Sequence, residues 1–151
     1  MNVLPLTTEE KAATLATHLV TITSDDLTET TVNTAQTLTV TVAAGDFFEV
    51  IAHKLVTPFE DASDAAFNTT AYTIGDGGSA NRFLTSTELN VNGTEIDFKA
   101  GALGEGYFYN SADTVDFAIG SMSGKALNNI DTGELHVFIR HVSFNTNPAI
   151  D

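Results

Sequence analysis

Four histidines, twenty acidic residues and no cysteine set the chemistry open to this 151-residue chain. Without thiols, disulfide scaffolds, thiolate metal sites and cysteine nucleophiles are all excluded. The histidines do not gather in the sequence. His136 and His141 stand five apart in a run that reads as a strand, where side chains alternate, so they face opposite ways. Glu134 and His136 share a face, but two ligands are fewer than a zinc site takes. His18 and His53 lie far from that pair, and isolated surface or half-buried rings are the expectation.

The remaining motifs fail on context. Gly75-Asp76-Gly77-Gly78-Ser79-Ala80 matches a loose dinucleotide fingerprint, with Asp97 placed where a ribose-binding acid belongs. That fingerprint must open a helix that crosses to a parallel strand. Here an Asn92-Gly93 hairpin follows instead, so a flexible loop between strands is expected. Glu60-Asp61-Ala62-Ser63-Asp64, with Asp76 from a nearby turn, offers oxygens to calcium but lacks the spacing of a calcium-binding loop. Gly120-Ser121-Met122-Ser123-Gly124 imitates a nucleophile elbow with methionine in the serine's place. Twenty carboxylates allow many glycosidase-like pairs and single out none. Asn68-Thr69-Thr70 and Asn92-Gly93-Thr94 are glycosylation sequons only in a secreted eukaryotic chain. The expectation is a protein with no catalytic site, no metal and no cofactor.

The elements that must position these residues are mostly strands. Thr7 and Glu10 form a capping box, and Ala12, Leu15, Ala16 and Leu19 recur at helical spacing, which predicts a helix over 8–18. An apolar arm with Val3, Leu4 and Leu6 precedes it. After that the period falls to two. Leu38, Val40 and Val42 alternate with threonines, Val115, Phe117 and Ile119 point together, and Leu135, Val137 and Ile139 alternate with His136, Phe138 and Arg140. Residues 46–56 form a long run of strand formers, weaker strands are expected at 18–23, 70–75 and 105–109, and Asn92-Gly93 joins two more. With no alternation of strands and helices, a parallel sheet is out. The fold class is all-β: an antiparallel β-sandwich, jelly-roll-like first and immunoglobulin-like second, with a short N-terminal helix. Residues 1–17 are an arm and helix, and 18–151 a single sandwich domain. Leu38, Val40, Val115, Phe117, Val137 and Ile139 are its expected core.

Charge narrows the partners. Six basic residues against twenty acids give −14, a surface that repels phosphate backbones and anionic lipid. The cations are spread along the chain and form no basic patch, so neither nucleic acid nor a membrane is an expected partner. MNVLPLTTEEKAA has none of the pattern of a signal peptide, which predicts a chain that stays in the compartment where it is made.

The middle of the chain resembles a family of small bacteriophage virion proteins. The likeness rests on Thr57-Pro58-Phe59, on Asp76-Gly77-Gly78 followed by Arg82-Phe83-Leu84, and on Asp116-Phe117. Gly120-Ser121-Met122 and Asn128-Asn129-Ile130-Asp131-Thr132-Gly133-Glu134 extend it toward the end. The resemblance implies a capsid decoration or cement subunit: a homo-oligomer, commonly a trimer, bound to the major capsid protein on the virion exterior. In that reading the apolar arm and helix (Val3, Leu4, Leu6, Leu15, Leu19) make capsid or subunit contacts. The loops carrying Glu60, Asp61, Asp64, Asp76 and Arg82 stand exposed and ready to join them. The alternative is a host-adhesion or carbohydrate-binding module, for which Tyr72, Tyr107 and Tyr109 would be the aromatic platforms.

Overall fold

Period-two alternation and β-branched side chains lay down most of this chain as strands. The computed structural model describes residues 1–64, 70–89 and 104–145. Among them nine strands and one α-helix follow in order: β1 (Asn2–Pro5), α1 (Thr8–Thr14), β2 (His18–Thr23), β3 (Gln36–Val42) and β4 (Asp46–Glu60). Then come β5 (Ala71–Asp76), β6 (Ser79–Glu88), β7 (Tyr107–Phe108), β8 (Asp113–Ile119) and β9 (Thr132–Ser143). The expected Asn92-Gly93 hairpin and both sequon asparagines lie outside the described residues.

The helix begins as its capping box demands. Thr7 Oγ1 accepts from the Glu10 N–H at 3.3 Å, and the Glu10 carboxylate accepts from the Thr7 N–H at 2.9 Å. It ends at Thr14, four residues before the expected limit. Leu15 turns into the left-handed region at φ 62°, its N–H bonding the Lys11 carbonyl. Thr17 then donates through its N–H to the Ile139 carbonyl at 2.7 Å, which pulls the chain into β2. Long-range pairing wins over the helical spacing of Ala16 and Leu19.

The strands pair antiparallel in a nested series: β5 with β6, β4 with β7, β3 with β8, and β2 with β9. Residues from β2 to β9 therefore trace one long double-stranded ribbon whose tip is the Gly77–Gly78 turn. Rolling the ribbon brings β4 against β9 and β5 against β8. Two sheets result, ordered β1-β2-β9-β4-β7 and β3-β8-β5-β6. The segment read as a flexible loop around Gly75–Ala80 is instead this tight hairpin tip. β1 lies along β2 (Leu4 opposite Leu19) and covers what would otherwise be that sheet's outer edge.

The two inner faces make one core. Val115, Phe117, Val137 and Ile139 are fully buried, as expected, together with Ile22, Phe48, Ile74, Phe83 and Leu135. Each such side chain contributes roughly 1.5–3 kcal/mol by leaving water. Leu38 and Val40 pack against this core but stay half-exposed, because β3 is an edge strand.

Candidate functional site

Asp76 was expected on an exposed loop; it is buried at the end of β5. Its Oδ1 accepts from the N–H groups of Gly78 (3.0 Å) and Ser79 (2.9 Å), and its Oδ2 from Arg82 Nε (2.5 Å) and the Tyr109 hydroxyl (3.1 Å). Burial pushes its pKa up, but the bonds from Arg82, Ser79, Tyr109 and Gly78 outweigh that and hold the carboxyl below its usual range. Burial and the neighbouring Asp76 charge push the Tyr109 phenol strongly up. Every lone-pair direction of Asp76 is committed to holding the hairpin tip. The group is a structural anchor and offers no oxygen to a calcium ion or a substrate.

Two acids of the Glu60–Asp64 cluster are similarly engaged. Asp61, also buried, accepts from the Ser63 N–H and hydroxyl, which lower its pKa. Asp64 pairs with Lys125, and Glu60 stands exposed at the end of β4. Among the described residues no group of three or more histidine or acidic side chains converges as a metal ion would require. In the methionine-centred elbow, Met122 points into the core and bridges to Lys125 in a turn.

The histidines are not isolated. His53 is buried, its Nδ1 2.5 Å from the Tyr72 hydroxyl, and burial drives the Tyr72 phenol pKa strongly up. His136 bonds Glu134 on the shared strand face at 2.6 Å. Register brings His18 beside His141, ring centroids 6.1 Å apart, and His141 Nε2 reaches the buried Asp46 at 2.9 Å. Desolvation, then the His141 and Lys11 charges, push the His18 pKa down. For Asp46 burial pushes upward, while the Ala43 N–H and His141 pull further in the other direction. Sequence spacing could not show the pairing of His18 with His141, because strand register places them together.

The apolar arm is divided by the sheet. Leu6 is buried and its N–H donates to the Thr17 carbonyl, so it is not a surface contact; Leu19 is half-buried. Val3, Leu4 and Leu15 do stand exposed. At the opposite edge of the same sheet lies an aromatic corner that sequence reading missed. Phe47 and Phe108 sit 5.7 Å apart, Phe108 and Phe144 5.2 Å apart, and the Arg140 guanidinium 5.4 Å above Phe47. With Val142 they line an open groove of about 360 Å³. Arg140 is itself bonded to Glu49. Three phenylalanines, from β4, β7 and the residue after β9, meet only through the fold.

Tyr72 and Tyr109 are buried, and the Arg82 guanidinium covers the Tyr107 ring at 3.9 Å. Of the three tyrosines only Tyr107 stays exposed, with the guanidinium stacked on one face of its ring. No helix among the described residues is long and apolar enough to cross a membrane. Comparison with family models, with curated proteins and with solved structures finds no match to this chain.

Proposed function

We propose that this chain is a bacteriophage virion structural protein, a capsid decoration or cement subunit docked on the major capsid protein as a homo-oligomer, a trimer in the simplest case. The observation that carries the reading is the nested pairing of β2–β9, β3–β8, β4–β7 and β5–β6, rolled into sheets β2-β9-β4-β7 and β3-β8-β5-β6. This nesting supports a jelly-roll reading of the sandwich, an architecture that recurs in viral capsid proteins. A fold hosts many functions, so the order supports the reading only alongside the sequence resemblance over residues 46–142. The carboxylates and histidines described above serve structure, which suits a subunit whose task is to bind and persist. Lectins share the architecture, but the tyrosines that a glycan site would use are buried or capped.

The test is cosedimentation of the purified chain with undecorated capsids assembled from a major capsid protein encoded in the same genome. Saturable binding at a fixed ratio to capsid subunits is the expected result. Failure to bind, together with retention on a glycan array, would replace this reading with the adhesion module.

A further inference from the structure

Among the described residues the two sheets end in four edge strands, β1 and β7 in one and β3 and β6 in the other. An edge leaves a row of main-chain N–H and C=O groups unpaired, and folded proteins protect such rows with charge, proline, irregularity or brevity. Three of the edges carry these devices. β1 has four residues and ends in Pro5, and β7 has two residues. The length of β4 that β7 leaves uncovered holds Glu49, Lys54, Pro58 and three register shifts. β6 carries Arg82 and Glu88, shifts register against β5, and accepts the Gly104 N–H at its Phe83 carbonyl.

β3 has none of them. It pairs with β8 at seven consecutive positions, Gln36 to Val42, without a shift. No charged residue, proline or glycine interrupts it, and the sequence carries no charge anywhere from Thr30 to Val42. Thr37, Thr39 and Thr41 are exposed, while Leu38 and Val40 sit half-buried at the margin of the core. This pattern is symmetric about Thr39. If two such strands lie antiparallel about a two-fold axis there, Thr39 meets its own copy, Leu38 meets Val40, and Thr37 meets Thr41. Apolar side chains then oppose apolar ones and threonines oppose threonines, pairs that stabilise sheets. A slip of one residue would set Leu38 against Thr41 and turn the second sheet over.

We propose that β3 of one copy pairs with β3 of a second about a two-fold axis at Thr39, joining two four-stranded sheets into one of eight. A second copy is the occupant because the strand complements itself, and because the charge that keeps chains of −14 apart is missing along it. Behind β3 stand Asp116, opposite Thr39, and Asp113, opposite Val42 and farther from the axis. Asp116 accepts a bond from the Thr114 hydroxyl. The two copies of Asp116 would be three strand spacings apart, about 14 Å, beyond the ~8 Å screening length of physiological salt. This contact goes beyond the reading above, since a two-fold pairing closes at two copies and builds no trimer. It is also independent of the capsid target, because its test uses the purified chain alone.

Sedimentation equilibrium and disulfide trapping decide it. The wild type should be dimeric at roughly 100 µM and monomeric at about 1 µM, as a contact of about 10 µM requires. Stability measured at the lower concentration therefore reads a bare β3. Thr39→Glu sets two carboxylates face to face at the axis and should be monomeric at the higher concentration with the fold retained. The absence of native cysteine makes a single introduced thiol a clean reporter. Thr39→Cys should cross-link on mild oxidation, because opposed residues stand about 4.5–5.5 Å apart at Cα, within disulfide reach. Thr37→Cys, equally exposed, should not, because its copies lie about 13 Å apart along the strands. This comparison stands even where Thr39→Glu folds poorly. A monomeric wild type, an oligomer that Thr39→Glu leaves intact, or equal cross-linking at the two positions would each overturn the proposal. Capsid binding by a chain that stays monomeric would remove this contact and leave the decoration reading standing.

Discussion

Arg82 donates through Nε to the buried Oδ2 of Asp76 at 2.5 Å, six residues back along the chain and across the tip of the β5–β6 hairpin. The pair closes the ribbon at its turn and ties it to Tyr109, which enters from the other sheet's flank. Replacing Asp76 by Asn keeps the shape but leaves the guanidinium without its counter-charge. Breaking a partly buried pair in this way is expected to cost about 2–4 kcal/mol, discounted for the exposure of Arg82. Urea denaturation of the variant measures it, and an unchanged midpoint would show that the anchor is dispensable.

Acid should lower the stability of the protein over two pH ranges. His18 has a folded pKa below its unfolded value of about 6.5, so the folded state binds fewer protons there, and stability falls as pH drops below that value. Asp76 and Asp46 are also depressed; their contribution is present above about 3.9 and is lost as pH falls through their folded values. His18→Asn should remove the upper stage and leave the lower one. Denaturation midpoints collected between neutrality and acid would show one limb or two.

Phe117 and Leu38 face each other across β8 and β3, yet only the first is fully buried. Phe117→Ala should cost about 3–5 kcal/mol and Leu38→Ala markedly less. Val137→Asp, which buries an unpaired charge in the same core, should yield no soluble folded protein. Equal losses at Phe117 and Leu38 would mean that β3 is covered in solution.

Removing residues 1–5 takes away β1 and bares the edge of β2. The expected outcome is a lower thermal midpoint and light scattering on heating, as an unpaired edge recruits other chains. A truncated chain that melts reversibly at the wild-type temperature would show β1 to be an ornament on the sheet.

Strands with one buried face were legible because alternation is a local signal. Val115, Phe117 and Ile119, or Leu135, Val137 and Ile139, announce their burial without any knowledge of neighbours. The capping box at Thr7 and Glu10 is legible for the same reason. β6 was not, because Phe83 and Leu84 are both buried. A register shift between Tyr72 and Ile74 inserts an extra residue on β6 and breaks the alternation. Leu15 as a helix terminator also escaped, since the usual glycine is missing there. The histidine pair, the burial of Asp76 and the aromatic corner are products of register and rolling, which leave no trace in spacing.

The nested ribbon carries a consequence for synthesis. His18 pairs with Ile139 and Gln36 with Ile119, so the outermost pairings join the most distant parts of the chain. Loops that long close slowly, which places such a protein among domains of high contact order that fold in milliseconds to seconds. Of the nested pairs, the β5–β6 hairpin is the one that can form early. The five-stranded sheet is not complete until β9 has left the ribosome, and until then β2 and β4 await the same late partner. β9 is in effect the latch for both sides of its sheet.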